Sequence, residues 1–332
     1  MSLPIKPPFL PMEARTVGKL PIGANWEYEP KWDGFRAVVF KDGDDVELQS
    51  KSGKPMARFF PEVVASIRKL RAGHFVLDGE IVISVDGAFS FDDLLMRIHP
   101  AQSRINRLSS ERPASLIVFD LLVDERGTEL FRLPLSKRRP NLVKFAARFL
   151  EGSNDITLSP ATDDIEKARV WLKSFAGNLD GIIAKRTDVE YKSGERTGMV
   201  KFKRLRTADC VVGGFRYLSD ERLVGSLLLG LYDNDNRLNH VGFTSGIKRE
   251  SRVKLTAELE SLIQPPGFTG RAPGGESRWS TERSTEWQPL RPKLVVEVQY
   301  DHVTGGRFRH GTKLLRWRPD KTPKQCTLEQ IE

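Results

Sequence analysis

The chain has 332 residues, about twice a typical domain, so two domains are expected. Charged residues make up 29% of it, apolar residues 39%, and the net charge is +9 with a pI near 9.5; a balance of that sign suits either a polyanionic partner, most commonly nucleic acid, or simply a soluble surface with excess lysine. Cys210 and Cys326 are too few and too far apart for a disulfide scaffold or a CxxC zinc site. No run reaches the ~18 apolar residues of a membrane span, and the proline-rich start lacks a signal-peptide core, so a soluble cytoplasmic protein is expected.

In chain order, residues 1–24 read as an extended lead-in pinned by prolines. Residues 34–40 and 45–50 predict a β-hairpin with Asp42-Gly43 at its turn. PEVVASIRKL (61–70) carries Val63, Val64, Ile67 and Leu70 on one helical face, with Pro61 suited to the first turn. HFVLDGEIVIS (74–84) reads as a strand, FDDLLMRI (91–98) as a short helix, and SLIVFDLLV (115–123) as a strand buried on both faces. Helical spacing recurs over 135–150 and 163–176, the second marked by Ile165, Ala168, Leu172 and Phe175; DGIIAKR (180–186) and GMVKFKRL (198–205) read as strands. From about 206 the chain turns to short strands at 209–217, 225–233, 237–245 and 293–300, one helix at 251–263, and a long loop at 265–287. Further strand through Trp317 closes a pattern that suits a small barrel. The domain boundary falls near 205.

Four constellations could carry chemistry. In Glu29-Pro30-Lys31-Trp32-Asp33-Gly34, the start of a strand would put Lys31 and Asp33 on one face. A lysine is a nucleophile only without its proton, which neighbouring cations, a metal or burial can remove; the segment could equally be a solvated edge of mixed charge. Strand alternation puts Lys201 and Lys203 together, suiting either a phosphate or a solvated sheet face. Asp78 and Glu80 inside an apolar strand, and Asp180 at the start of another, need cation, metal or hydroxyl partners if buried. Phe119 sits in the doubly buried strand, where an aromatic is core or a stacking platform. No Walker A run is present, since Ser52-Gly53-Lys54 is followed by Pro55 without the upstream glycine, and the five histidines make no HExxH or paired metal pattern.

KxDG, DGE, FDLL, DGxxAK, KxK and RxDK, in this order, resemble the motif series of the covalent nucleotidyltransferases: ATP-dependent DNA ligases, RNA ligases and mRNA capping enzymes. EPKWDGFR, VLDGEIV, VFDLL, DGIIAKR and RWRPDK, together with RTADCVV and GSLLLGLY, look most like bacterial ATP-dependent DNA ligases of the short actinobacterial ligase C type. The resemblance implies an α+β fold. A nucleotidyltransferase (adenylation) domain of antiparallel sheets with flanking helices would span 1–204, and a C-terminal OB-fold β-barrel 205–332.

It also implies roles. Lys31 would attack the α-phosphorus of ATP, carry AMP covalently and pass it to the 5′-phosphate of nicked double-stranded DNA, in DNA repair; Asp33, Lys201 and Lys203 complete the catalytic set. Glu29 lies in the adenine-recognition segment and Arg36 would contact the nucleotide. Phe119 would stack on one face of adenine, with Ile183 on the other. Glu80 would bind the ribose or a metal, and Asp180 a metal, Mg2+ or Mn2+. Lys201 and Lys203 would hold the α-phosphate. Arg318, Asp320 and Lys321 would orient pyrophosphate after closure about a hinge at 204–208. Asp180 stands where many relatives have glutamate, and Lys51 where many have an arginine, so Lys51 is expected only as a DNA phosphate contact. A monomer is expected. The competing expectations are an RNA ligase, a capping-type guanylyltransferase and a non-catalytic nucleic-acid-binding protein.

Overall fold

A computed structural model describes residues 3–174 (for 173 and 174 the backbone only), 179–203, 205–274 and 286–331. It divides into two compact units, Met1–Arg204 and Leu205–Glu332.

The first unit runs β1 (Arg15–Thr16), β2 (Trp26–Trp32), β3 (Phe35–Asp42), β4 (Asp45–Ser50), α1 (Pro61–Arg68), β5 (His74–Val85), β6 (Ala88–Phe89), α2 (Phe91–Arg97), α3 (Gln102–Glu111), β7 (Ala114–Val123), α4 (Leu135–Phe149), β8 (Ile156–Leu158), α5 (Ile165–Ser174), β9 (Leu179–Arg186) and β10 (Met199–Lys203). These strands make two sheets, β4-β3-β5-β7-β8 with β6 on β5, and β1-β10-β9-β2. Pairing is antiparallel except at β1–β10 and β7–β8.

Two-residue alternation decides what each sheet face does. On β3, Ala37 and Val39 join the core under α1 and α4, where Val63, Ile67, Leu142 and Phe145 are buried. Val38 and Phe40 point the other way, into a cluster with Val76, Met12, Tyr191 and Met199. Met199 belongs to the second sheet, so this cluster joins the two sheets. Tyr28, Ile182, Ala184 and Val200 pack with Ala168, Trp171 and Leu172 of α5. Each fully buried aliphatic contributes roughly 1.5–3 kcal/mol, and these positions leave the opposite face of β2, β9 and β10 for polar residues.

Several expectations shift. The hairpin turn is Gly43-Asp44, with Gly43 at φ +64° and Asp42 paired to Asp45. Lys31 lies near the end of β2, not at the start of a strand, so Asp33 does not share its strand face; Asp33-Gly34 is the link into β3. A Cβ on Gly34 would lie 2.2 Å from the Ile81 carbonyl oxygen, so only glycine lets this link pass β5. Phe175, expected on the α5 face, lies outside the described residues.

The second unit runs β11 (Arg206–Tyr217), β12 (Val224–Tyr232), β13 (Leu238–Thr244), α6 (Arg252–Glu260), β14 (Gln288–Pro289), β15 (Val295–Tyr300), β16 (Val303–Thr304), β17 (Arg307–Phe308) and β18 (Lys313–Trp317). The antiparallel order is β13-β12-β11-β15-β18. A parallel bridge from Thr244 to Thr312 brings the two edges together, which makes the sheet an OB-fold barrel. Val211, Phe215, Leu227, Leu229, Val296 and Val298 fill it. Of the expected hinge, Arg204 lies outside the described residues, and Arg206–Ala208 already pair with β15. Within the expected long loop, residues 275–285 lie outside the described set. No helix among the described residues is long and apolar enough to cross a membrane.

Candidate active site

Strand register builds the site from three rows across β2, β9 and β10. Lys31 faces Gly181, which faces Lys203; Glu29 faces Ile183, which faces Lys201; Glu27 faces Lys185, which faces Met199. Gly181 has φ +146°, and a Cβ there would meet the Phe202 carbonyl oxygen at 2.0 Å. A side chain would therefore not fit between the two lysines.

A cavity of about 180 Å³ opens beside these rows. It brings together Glu29, Lys31, Arg36, Lys51, Glu80, Phe119, Ile183 and Lys201, and Met12, Glu13 and Lys185 also line it. Asp180 joins the site through Lys31, whose Nζ lies 2.5 Å from Asp180 Oδ2, with Lys203 Nζ 3.9 Å from the same oxygen. Lys31 is only 20% exposed, so it is a half-buried group rather than a solvated edge. Asp33 is not on the cavity wall, though its charge is felt at Glu80.

Burial, and then the neighbouring charges of Lys31, Lys203 and Lys51, hold the Lys201 ammonium below its ordinary pKa. Burial pushes the Glu80 carboxyl up to about 7, against the pull of Arg36 and Lys31. Burial also opposes the charge on Arg36, but Asp78 outweighs it and raises the pKa; Arg36 Nε and Nη2 donate to the two Asp78 oxygens at 2.6 and 2.6 Å. The Arg36 guanidinium lies 4.4 Å from the Phe119 ring centroid and Lys185 Nζ 4.8 Å from it. A base stacked on Phe119 would have to share the ring with these cations or displace one. Glu29 is held by Lys185 at 2.8 and 2.9 Å, and Lys185 also donates to the Phe119 carbonyl at 3.3 Å. At the rim, Lys51 Nζ and Arg196 Nε converge on Glu13 Oε2 at 3.0 and 3.2 Å.

Asp78, expected to need a cation, metal or hydroxyl partner if buried, meets both a cation and a hydroxyl in Arg36 and Tyr191. Lys185, Tyr191 and Arg196 also belong to this neighbourhood without a sequence expectation of their own. Asp78 and Lys185 stand inside the quoted DGE and DGxxAK motifs, and alternation from Ile183 puts Lys185 on the cavity face. Tyr191 and Arg196 lie between β9 and β10 without a periodic signal.

Arg318, Asp320 and Lys321 lie in the second unit. Arg318 Nη1 meets Asp209 at 2.9 Å, Arg318 Nη2 meets Asp320 at 2.7 Å, and Lys321 Nζ meets Asp209 at 2.6 Å. Beside Arg318 and Lys321 runs a groove of about 550 Å³ whose walls include Leu255, Leu315 and Trp317.

A lysine-walled cavity between two mainly antiparallel sheets, with an OB-fold barrel after it in the chain, defines a nucleotidyltransferase acting on polynucleotides. Comparison with known proteins narrows the class. The family model described as "ATP dependent DNA ligase domain" matches residues 12–203, and "ATP dependent DNA ligase C terminal region" matches residues 220–321. DNA ligase C of Mycobacterium tuberculosis is 42% identical over 347 residues, covering 100% of this chain and 96% of that protein. DNA ligase C1 of Mycolicibacterium smegmatis is 44% identical over 344 residues, with 100% and 96% covered. A solved mycobacterial DNA ligase D complexed with ATP and MES superposes with a TM-score of 0.52 at 26% identity, covering 96% of this chain and 97% of that one.

The chain belongs to the ATP-dependent DNA ligase family, and its substrate is DNA. These findings do not favour the RNA ligase, capping or non-catalytic alternatives.

Proposed function

We propose that this ligase uses ATP to seal 5′-phosphate/3′-hydroxyl nicks in duplex DNA through AMP carried on Lys31. The observation that carries the reading is a grouping of cations around one acid: Lys31 Nζ lies 2.5 Å from Asp180, with Lys203 in the same row as Lys31 and Lys201 in the adjoining one. Met1–Arg204 would be the adenylation domain and Leu205–Glu332 the OB-fold domain of a cytoplasmic monomer.

Lys31 must lose a proton before it attacks. Asp180 Oδ2, 2.5 Å from Lys31 Nζ, is placed to take it. Lys31 Nζ then bonds to the α-phosphorus as the bond to the β-phosphate oxygen breaks and pyrophosphate leaves. Lys201 and Lys203 offset the charge that develops on the α-phosphate. Next, a 5′-phosphate oxygen of the nick displaces Lys31 from the AMP phosphorus. Finally the 3′-hydroxyl attacks the 5′-phosphorus, giving the phosphodiester and free AMP. Glu29, Arg36, Phe119 and Ile183 would hold the nucleoside, and Lys51 a DNA phosphate. Arg318, Asp320 and Lys321 would orient pyrophosphate during the first step. Asp33 is assigned only an electrostatic influence at Glu80.

Magnesium or manganese suits this chemistry. Among the described residues no group of three or more His, Cys, Asp or Glu side chains is placed to hold a metal alone. Glu80 and Asp180 nevertheless supply two hard oxygen donors beside the phosphate-binding lysines. That fits an ion which takes one or two carboxylates and fills its shell with phosphate oxygens and water. Asp180 would become available to it once Lys31 is neutral and the proton has passed on from Asp180 to solvent. The ion would supply charge neutralisation on the phosphates.

Covalent labelling tests the reading. The protein is incubated with α-phosphate-labelled ATP or GTP and a divalent metal, then run on a denaturing gel beside Lys31→Ala. Label from ATP alone, lost in a variant whose circular dichroism is unchanged, is the expected result. No label, even after pyrophosphate treatment to strip pre-bound AMP, would sink the proposal.

A further inference from the structure

Tyr191 stands outside the motif series, in the segment between β9 and β10, yet its hydroxyl is buried behind the nucleotide cavity. It donates to Asp78 Oδ2 at 2.5 Å and accepts from the Met12 backbone N–H at 3.0 Å. Asp78 is the carboxylate that takes both bonds from Arg36. Arg36 Nη2 in turn reaches the Met12 carbonyl at 3.5 Å. The four groups close a ring: Arg36 and Tyr191 both donate to Asp78, and Met12 donates to Tyr191 while accepting from Arg36.

Each member is fixed from elsewhere. The Tyr191 ring stacks on Phe9 with centroids 6.1 Å apart and lies 5.6 Å from the Arg138 guanidinium. Phe9 exchanges two hydrogen bonds with Gln49, both at 2.8 Å. Residues 11–14, which follow Phe9, form one wall of the cavity that holds Lys31 and Arg36. A phenylalanine at 191 would fill the same space. The hydroxyl is therefore the part that needs an explanation, because a buried oxygen is retained only where its bonds are made.

Arg36 alone could satisfy the charge of Asp78, but a carboxylate held from one side can still rotate about its side-chain bonds. The Tyr191 hydroxyl gives it a second anchor from a different strand connection, and so fixes the plane in which it presents the guanidinium. We propose that Tyr191 is a positioning residue for Arg36, acting through Asp78, and that the same hydroxyl fastens residues 11–14 as a wall of the nucleotide cavity. This rests on the reading above, in which Arg36 contacts the nucleotide.

The test is a double-mutant cycle in self-adenylylation, with thermal unfolding of every variant. Tyr191→Phe should raise the KM for ATP roughly tenfold, the scale expected when a binding group is misplaced rather than removed. In the Arg36→Ala background the same change should add less than about twofold, because the group it positions is gone. A full tenfold effect in that background would overturn the proposal, as would a lowered melting temperature with an unchanged KM, the mark of a purely structural hydroxyl. Should Tyr191→Phe fail to fold, Asp78→Asn tests the middle of the relay while leaving Tyr191 in place. It should raise the KM for ATP as Arg36→Ala does, and an unchanged KM would break the relay. Absence of label on the unaltered protein would sink the adenylylation reading itself, which separates the two failures.

Discussion

The two units treat their cations in opposite ways. In the first, Lys31 and Lys203 converge on Asp180, and Lys201 has no acid within 4.0 Å among the described residues. Burial and three neighbouring lysines hold the Lys201 ammonium below its ordinary pKa. In the second, Arg318 and Lys321 are matched by Asp209, and Arg318 also by Asp320, whose carboxyl it holds at about 2. Crowded like charges are relieved by an arriving anion, so the first set suits phosphate recognition through its net charge. Balanced charges gain little from an anion unless their geometry is already right. The second set should thus act through alignment, with Asp209 as the part that aligns it.

Substitutions in the two units can break that contrast. Lys203→Ala removes charge from the crowded set and should slow AMP transfer to Lys31 by about a hundredfold, the scale for losing one preorganised donor at a developing charge. Single-turnover labelling measures it, and an unchanged rate would remove Lys203 from the site. Asp209→Asn keeps every cation of the second set and loosens its arrangement. It should slow the same step by roughly tenfold and leave the sealing of a pre-adenylylated nick unchanged. If Asp209→Asn is silent while Arg318→Ala is severe, alignment by Asp209 is wrong. If it exceeds Lys203→Ala, the contrast between the units is inverted.

What the sequence revealed follows the reach of each signal. Alternation extends two residues, and it correctly put Lys201 with Lys203 and buried both faces of the strand around Phe119. The same rule reaches Lys185 from Ile183, so that residue is legible in the sequence. Tyr191 meets Asp78 across 113 positions, and no local period encodes such a contact. Lys51 and Arg196 likewise meet only through Glu13, in a third part of the chain. Helix α3 gives little sequence signal because QSRINRLSSE is polar and buries only Ile105. Asp33 was misplaced for a steric reason: the chain must pass the β5 backbone at Gly34, which ends β2 before Asp33 can join it.

The smallest effect should come from Glu27, which shares the β2 face with Glu29 and Lys31 but does not line the cavity. Burial, and then the nearby Glu29 charge, push its carboxyl up to about 7, against Lys185 and Arg139. Its Oε1 is buried without a hydrogen-bond partner. A carboxyl raised in the folded state keeps its proton there at pH values where the unfolded chain, titrating near ~4.3, has lost it. The folded protein therefore binds more protons between about pH 4.5 and about pH 7, and stability must fall as pH rises through that window. Glu27→Gln carries no such charge. Between pH 5 and pH 8 the unaltered protein should lose on the order of 2–3 kcal/mol more stability than the variant, as read from urea unfolding. Parallel stability–pH curves would mean that Glu27 does not titrate there. A large loss of adenylylation in Glu27→Gln would place it at the nucleotide after all. A difference in stability without one would mean that gathering acids and lysines on a single sheet face carries a folding penalty, felt one row away from the chemistry it serves.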